Sequence, residues 1–295
     1  MMKIIAKVNA INTSDGMYNV SVNDTVSSFN IKVNPELGYT FKIGNVYEFT
    51  CYKNEASERV SYTLVESRDI NQFDIETKEI VLRKFYSSSP IESKEAKTEI
   101  EKYIAKIENK VIHDITLALI TKHQDEFYIY PAASRMHHAY VGGLAYHSIG
   151  MLHLADGFIE NYPYLNKDYI YAGILLHDIG KTIELSGVVN TEYSLKGQLL
   201  GHLVLGAMQI EAIAKELGYS ECEEVLFLEH MLISHHGQPQ FGSAKKPMTA
   251  EALVLWYIDT IDSKFRVLGE ELEKTESGTY TDSIGVLDRT KIYKI

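Results

Sequence analysis

The apolar run Ile174-Leu-Leu-His-Asp-Ile-Gly-Lys181 ends in an adjacent His177-Asp178 pair. Neutral imidazole and carboxylate are both ligands for divalent transition metals, and neighbours at a helix end grip an ion at little extra ordering cost. One His-Asp dipeptide proves nothing. This one gains weight from its company: His147 in Gly142-Gly-Leu-Ala-Tyr-His147, His202 directly after Gly201, the pair His235-His236, and Asp259 with Asp262. The ordered set, His then His-Asp then His then His-His then Asp, makes metal-dependent chemistry the reading that the rest of the chain has to support.

Helices have to position such a set. Ile100, Ile104, Ile107, Val111, Ile115 and Leu119 recur at spacings of three and four and form one apolar stripe. Further helices are expected at about 138–156, 167–178, 200–217, 222–236 and 249–272. Adjacent side chains on a helix point about 100° apart. His235 and His236 therefore reach metal together only where the helix is ending, and Gly237 is placed to end it.

Residues 3 to about 70 read as strands instead. Lys3–Asn9, Met17–Val22, Ser28–Val33, Val46–Tyr52 and Val60–Val65 alternate or nearly so, with turn-like breaks at Asp15-Gly16 and Asn54–Ser57. Five short strands predict a small barrel of the OB type, and an SH3-like barrel would give much the same pattern. An OB barrel presents aromatic and basic residues to single-stranded nucleic acid. Tyr18, Phe29, Lys32, Phe49 and Tyr52 are the candidates, although aromatics at period two also serve as core. Asp74, Glu76, Glu79 and Ser87-Ser-Ser-Pro90 mark 71–95 as a linker. The expected fold class is α+β with more than one domain: an OB-like barrel over 1–70, the linker, and an all-α domain over 96–295.

At 295 residues the chain has room for two modest domains, and its 45% hydrophobic and 23% charged residues are ordinary for a globular protein. Its net charge is -11. Residues 1–100 hold 12 basic and 14 acidic side chains, leaving 17 basic against 26 acidic in the half that carries the histidines. Such a balance suits bound cations and removes the easy electrostatic argument for a long polyanion. Cys51 and Cys222 sit in no CxxC framework and read as reduced thiols of a cytoplasmic protein. Lys7 interrupts the N-terminal apolar stretch, and no apolar run approaches about 18 residues, so neither export nor a membrane span is expected.

Taken together, Tyr130-Pro-Ala-Ala133, His137-His138, Gly143-Leu-Ala-Tyr-His147, His177-Asp-Ile-Gly-Lys181, Gly201-His202, Leu232-Ile-Ser-His-His-Gly237 and Tyr257-Ile-Asp-Thr-Ile-Asp262 resemble, in order, segments of the YhaM family of 3'-to-5' exoribonucleases. These are HD-domain phosphohydrolases with an OB-type domain before the catalytic one. The resemblance implies that His147, His177, Asp178 and Asp259 hold one metal, and that Asp178 bridges to a second completed by His202, His235 and His236. Asp262 reads as a partner of a ligand rather than a ligand. Lys181 is expected to hold a phosphate oxygen, and Arg135, Lys245 and Lys246 are weaker candidates for the substrate backbone. The Lys pair falls in Gly237–Pro247, whose Gly, Pro and Gln content suits a mobile rim. His137 and His138 fit a substrate contact or a helix start equally. His113, His123, His153 and His230 read as structural.

Two cations bridged by Asp178 would lower the pKa of a shared water and clamp the non-bridging phosphate oxygens, so that a hydroxide attacks phosphorus in line with the leaving oxygen. Mixed imidazole and carboxylate ligands favour Mn(II) or Fe(II) over Mg(II), and the resemblance favours manganese. The implied reaction releases 5'-mononucleotides from the 3' end of single-stranded RNA, with single-stranded DNA as a second substrate. Two rivals stand beside it: a phosphodiesterase or phosphatase of small, including cyclic, nucleotides, and a non-catalytic protein that holds single strands on its barrel. Whether the chain forms a homo-oligomer is left open by the sequence.

Overall fold

The structure is a computed structural model that describes residues 1–14, 16–54, 61–132 and 140–295. The chain splits into two compact units, Met1–Ser88 with Val188–Asn190, and Ser89–Gly187 with Thr191–Ile295.

In the first unit, strands β1 (Met2–Ser14), β2 (Met17–Asn23), β3 (Ser28–Val33), β4 (Val46–Asn54) and β5 (Ser61–Asp69) close a barrel in the order β1-β2-β3-β5-β4. All neighbours are antiparallel except β3 and β5, which run parallel. This is the five-stranded arrangement of an OB-type barrel. Strand side chains alternate between faces, and Ala6, Val8, Val20, Val22, Ile31, Val33 and Cys51 fill the interior.

That alternation corrects part of the nucleic-acid expectation. Phe29 is in phase with Ile31 and Val33, and Phe49 with Cys51, so both aromatic rings are buried core. Tyr18 packs against the same cluster. Lys32 and Tyr52 do face outward. Both pair with Thr63, which brings them to the two sides of one residue on the barrel surface.

The stretch 71–95 is not the plain linker expected. It holds helix α1 (Ile75–Phe85) and the start of α2 (Ser93–Ile104). The acidic residues that suggested a linker are helix furniture: Asp74 caps α1 by accepting from the Thr77 N–H at 2.9 Å, and Glu79 pairs with Arg83 one turn on. Buried Val81 joins Val46 and Ile70 in a small cluster within the barrel unit.

The second unit is helical. After α2 come α3 (Lys110–Lys122), α4 (Gln124–Phe127), α5 (Gly143–Asn161), α6 (Lys167–Leu176), α7 (Lys181–Glu184), α8 (Leu195–Leu217), α9 (Glu223–Ser234) and α10 (Ala250–Lys274). The single apolar stripe expected from Ile100 to Leu119 is broken in two. The Asn109 side chain accepts from the N–H groups of Val111 and Ile112 and restarts the helix, so Ile112 is fully buried in the core while Val111 packs at its edge. Asn166, Ser194 and Thr249 cap α6, α8 and α10 in the same way. From Ile170 to Leu176 every residue of α6 is buried, so it is the central rod of one continuous core. Among the described residues no helix is long and apolar enough to cross a membrane.

Between the start of α7 and α8 the packing is tight enough to be tested. A Cβ at Gly180 would lie 2.1 Å from the His202 carbonyl oxygen and 2.9 Å from the Gly206 nitrogen, both backbone atoms that cannot swing away. Gly180→Ala is expected to lower the unfolding free energy by about 1–3 kcal/mol, as overpacking does. Gly157→Ala, on α5 with open space around it, should raise it by about 1 kcal/mol. Denaturant melts of the two variants check this, and an unchanged midpoint for Gly180→Ala would contradict the contact.

Candidate metal centre

Each helix brings its part of the set to one place. His147 lies in the first turns of α5, His177 and Asp178 follow the last residue of α6, His202 is on α8, and Asp259 is on α10. The α9 helix stops at Ser234, with His235 at its C-cap and Gly237 at φ +77. That left-handed residue ends the helix as expected, and its missing side chain leaves room for the Trp256 ring, which a Cβ would meet at 2.0 Å. The ring centroids of His235 and His236 are 4.5 Å apart, those of His177 and His235 5.1 Å, and those of His202 and His236 5.1 Å.

One rule governs all five imidazoles. Each has Nδ1 against an acceptor: His177 at 2.7 Å from the Ile174 carbonyl, His235 at 2.7 Å from the Leu232 carbonyl, and His236 at 2.8 Å from the Phe241 carbonyl. For His147 and His202 the acceptors are carboxylates, Asp262 at 2.8 Å and Glu184 at 3.1 Å. A ring that donates through Nδ1 turns Nε2 the other way. The Nε2 atoms gather around two carboxylates. His147 Nε2 is 3.2 Å from Asp259 Oδ1, His177 Nε2 3.2 Å from Asp178 Oδ2, and His202 Nε2 3.4 Å from Asp178 Oδ1; His235 Nε2 lies 3.8 Å from that same oxygen.

Two of these atoms are orphans. Among the described residues, His177 Nε2 and Asp178 Oδ1 are buried with no hydrogen-bond partner, the close approaches just given falling outside hydrogen-bonding distance or alignment. A buried lone pair and a buried carboxylate oxygen left without donors are costly, and a cation satisfies both. The ligand atoms of His147, His177 and Asp178 lie within 4.8 Å of one another, as do those of His202, His235 and His236. The donor set therefore fits divalent metal ions.

Charge in the cluster is uneven. Burial works against ionised Asp178, but the Lys181 ammonium and the His177 ring hold its carboxyl well below the usual range. Asp259 is likewise held down, against burial, by His147. Burial lowers His235 strongly, helped by His177 and His236, and lowers His236 too, so both are neutral with a lone pair to offer. His147 is the exception. Burial pulls its pKa down, yet Asp259 and Asp262 on either side of the ring push it up to about 9.

Other expected residues fall less simply. Lys181 Nζ donates to Asp178 Oδ2 and to the Ala132 carbonyl, both at 2.6 Å. Lys245 and Lys246 are exposed, and among the described residues no hydrogen bond or ion pair joins them to the cluster. Arg135, His137 and His138 lie outside the described residues. The segment after Gly237 is tied by the His236–Phe241 bond and by the Ala244 N–H to the Ile233 carbonyl at 3.1 Å. His123 bonds Thr182 and Gln209, and His230 accepts from the Met248 N–H. Sequence reading missed Glu184. The only signal for it was a carboxylate six positions after Asp178, beside Ile183 and Leu185.

Comparison with known proteins agrees with this geometry. The HD domain family matches residues 144–264, a span that contains every member of the cluster. A protein of Geobacillus sp. named 3'-5' exoribonuclease YhaM is 42% identical over 210 residues, 71% of this chain and 64% of the relative. One of the same name from Bacillus licheniformis is 42% identical over 219 residues, 74% of this chain and 69% of the relative. The matches thus span about two thirds of the length of these curated relatives. An HD domain match, a histidine and aspartate cluster within it and this level of identity make the chain a member of the YhaM family.

Proposed function

We propose that the chain is a metal-dependent exoribonuclease that removes 5'-mononucleotides from the 3' end of single-stranded RNA, with single-stranded DNA as a second substrate, in the cytoplasm. The observation that carries the chemistry is the ring of five Nδ1-anchored imidazoles around Asp178 and Asp259, with Asp178 Oδ1 left bare. The relatives' names supply the polymer and the polarity. We assign the chemistry to residues 96–295 and strand holding to the barrel of residues 1–70.

His147, His177, Asp178 and Asp259 would hold one ion, and His202, His235 and His236 a second that shares Asp178. Imidazole and carboxylate together favour Mn(II), with Fe(II) next. Bound there, divalent ions lower the pKa of water and neutralise charge on phosphate oxygens. The protein's side chains do the rest. Asp178 keeps its charge because Lys181 and His177 flank it, and it sits between the two histidine groups. Lys181 spends two of its three donors on Asp178 and Ala132, which leaves the third for a phosphate oxygen. Burial of His147, His177, Asp178 and His235 keeps bulk water from competing for their ligand atoms. On the barrel, Tyr52 offers a stacking face and Lys32 a charge on either side of Thr63, a pairing suited to a single strand.

The acidic balance favours a second reading, hydrolysis of small nucleotides, because a chain of net charge -11 attracts a polyanion poorly. One experiment separates them. Duplexes with a 3' or a 5' overhang, and a cyclic nucleotide, are incubated with the protein and Mn(II). Mononucleotide release from the 3' overhang alone, abolished in Asp178→Asn, is the expected result. Turnover of only the cyclic nucleotide would replace the proposal with the second reading.

The His147 environment generates a further prediction. Its pKa of about 9 means that the metal-free ring carries a proton at neutral pH. An ion must expel that proton to use Nε2, so affinity should rise with pH and level off above about 9. Calorimetric titration of Mn(II) near pH 7.5 in two buffers of different ionisation enthalpy should show release of about one proton per chain. Buffer-independent heats would contradict the role given to His147.

A further inference from the structure

The acidic end of α7 is the least explained part of the cluster. Glu184 is 7% exposed, and a buried carboxylate is costly unless donors surround it. Among the described residues no Lys or Arg lies within ion-pair distance of it. Both of its donors come from His202. Oε1 accepts from the His202 backbone N–H at 3.0 Å and from the ring Nδ1 at 3.1 Å, and Oε2 is also 3.1 Å from Nδ1.

The backbone makes this double contact available. Gly201 breaks α8 with φ 72 and ψ 160, a conformation that is essentially glycine's alone. His202 therefore opens a new helical turn, whose first N–H groups have no acceptor within the helix. Glu184 takes the first of them as a capping carboxylate does, and the same oxygen holds the ring. The close packing of Gly180 on the His202 carbonyl keeps α7 near enough for this.

The consequence falls on Nε2. With Nδ1–H given to Glu184, the neutral form of the His202 ring presents its Nε2 as a lone pair. It lies 3.3 Å from His236 Nε2, which is bare for the same reason because His236 Nδ1 donates to the Phe241 carbonyl. Two bare nitrogens at that distance repel unless something positive lies between them. His177, His235 and His236 are oriented by backbone carbonyls, whereas His202 depends on one side chain.

We infer that Glu184 is a positioning residue that fixes the His202 ring with Nε2 facing Asp178 and His236, and thereby governs occupancy of the second metal position. The inference rests on the two-ion reading given above. None of the contacts among His147, His177, Asp178 and Asp259 involves Glu184, so its loss should leave the first position filled. This is not a general weakening of the fold, and a tautomer measurement separates the two.

Three proteins are compared: wild type, Glu184→Leu, which keeps the volume and removes the acceptors, and Glu184→Gln, which keeps Oε1. Nitrogen-15 NMR of metal-free, histidine-labelled protein should show the His202 proton on Nδ1 in wild type and Glu184→Gln. Metal analysis after equilibration with Mn(II) should give two ions per chain in those two proteins. Glu184→Leu should retain one, with affinity for the second reduced about 10- to 100-fold, as loss of a ligand's hydrogen-bond partner typically does. Two ions in Glu184→Leu at wild-type affinity would overturn the inference alone. A single ion in wild type would overturn the two-ion reading as well. A wild-type His202 proton on Nε2 would overturn the inference without recourse to any variant, so failure of Glu184→Leu to fold leaves it decidable.

Discussion

A carboxylate that is 3% exposed and has one oxygen without a donor is the constraint around which this helical unit is arranged. Asp178 stays ionised because Lys181 reaches back one helical turn to it and also grips the Ala132 carbonyl, with the His177 ring beside it. Desolvating a charge costs several kcal/mol, and a lysine on only one of its oxygens leaves the other uncompensated. The uncompensated oxygen is the one nearest His202 and His235. A site in this state is built for a positive charge beyond the one that Lys181 supplies among the described residues.

The helices serve that need through a shared device. Where α6 and α9 end, the histidine just past the last helical residue turns Nδ1 back onto a carbonyl three residues earlier, Ile174 for His177 and Leu232 for His235. Those carbonyls belong to the last turn, which has no intrahelical donors left for them. A helix end thus orients an imidazole of the cluster without any added residue. His147 and His202 each stand near the start of a helical segment, α5 and the part of α8 after Gly201, and each has a buried carboxylate instead, Asp262 and Glu184. The division between backbone and carboxylate anchors follows from where each histidine sits in its helix.

Much of this was legible in the sequence. The order of the histidines and aspartates identified the cluster, the 100° argument identified the break at Gly237, and strand alternation identified a five-stranded barrel. Four things were not. Which face of β3 and β4 turns inward depends on closure of the barrel, so Phe29 and Phe49 look the same as surface aromatics until the register is known. The break at Asn109 lies inside an uninterrupted apolar spacing, and only the cap hydrogen bonds reveal it. Glu184 acts through a contact between α7 and α8 that no local pattern encodes. The helix within 71–95 was not legible because its acidic residues signal helix starts as readily as loops, and Val81 was too small a clue to decide between them.

The central claim is that one carboxylate, Asp178, serves two ions at once. Electron paramagnetic resonance of the protein loaded with two Mn(II) per chain tests it most directly, because ions about 3.5–4 Å apart across a shared ligand couple their spins. The account predicts the spectrum of an exchange-coupled pair, replaced in Asp178→Asn by that of isolated Mn(II). Isolated-ion spectra from fully loaded wild type would contradict it.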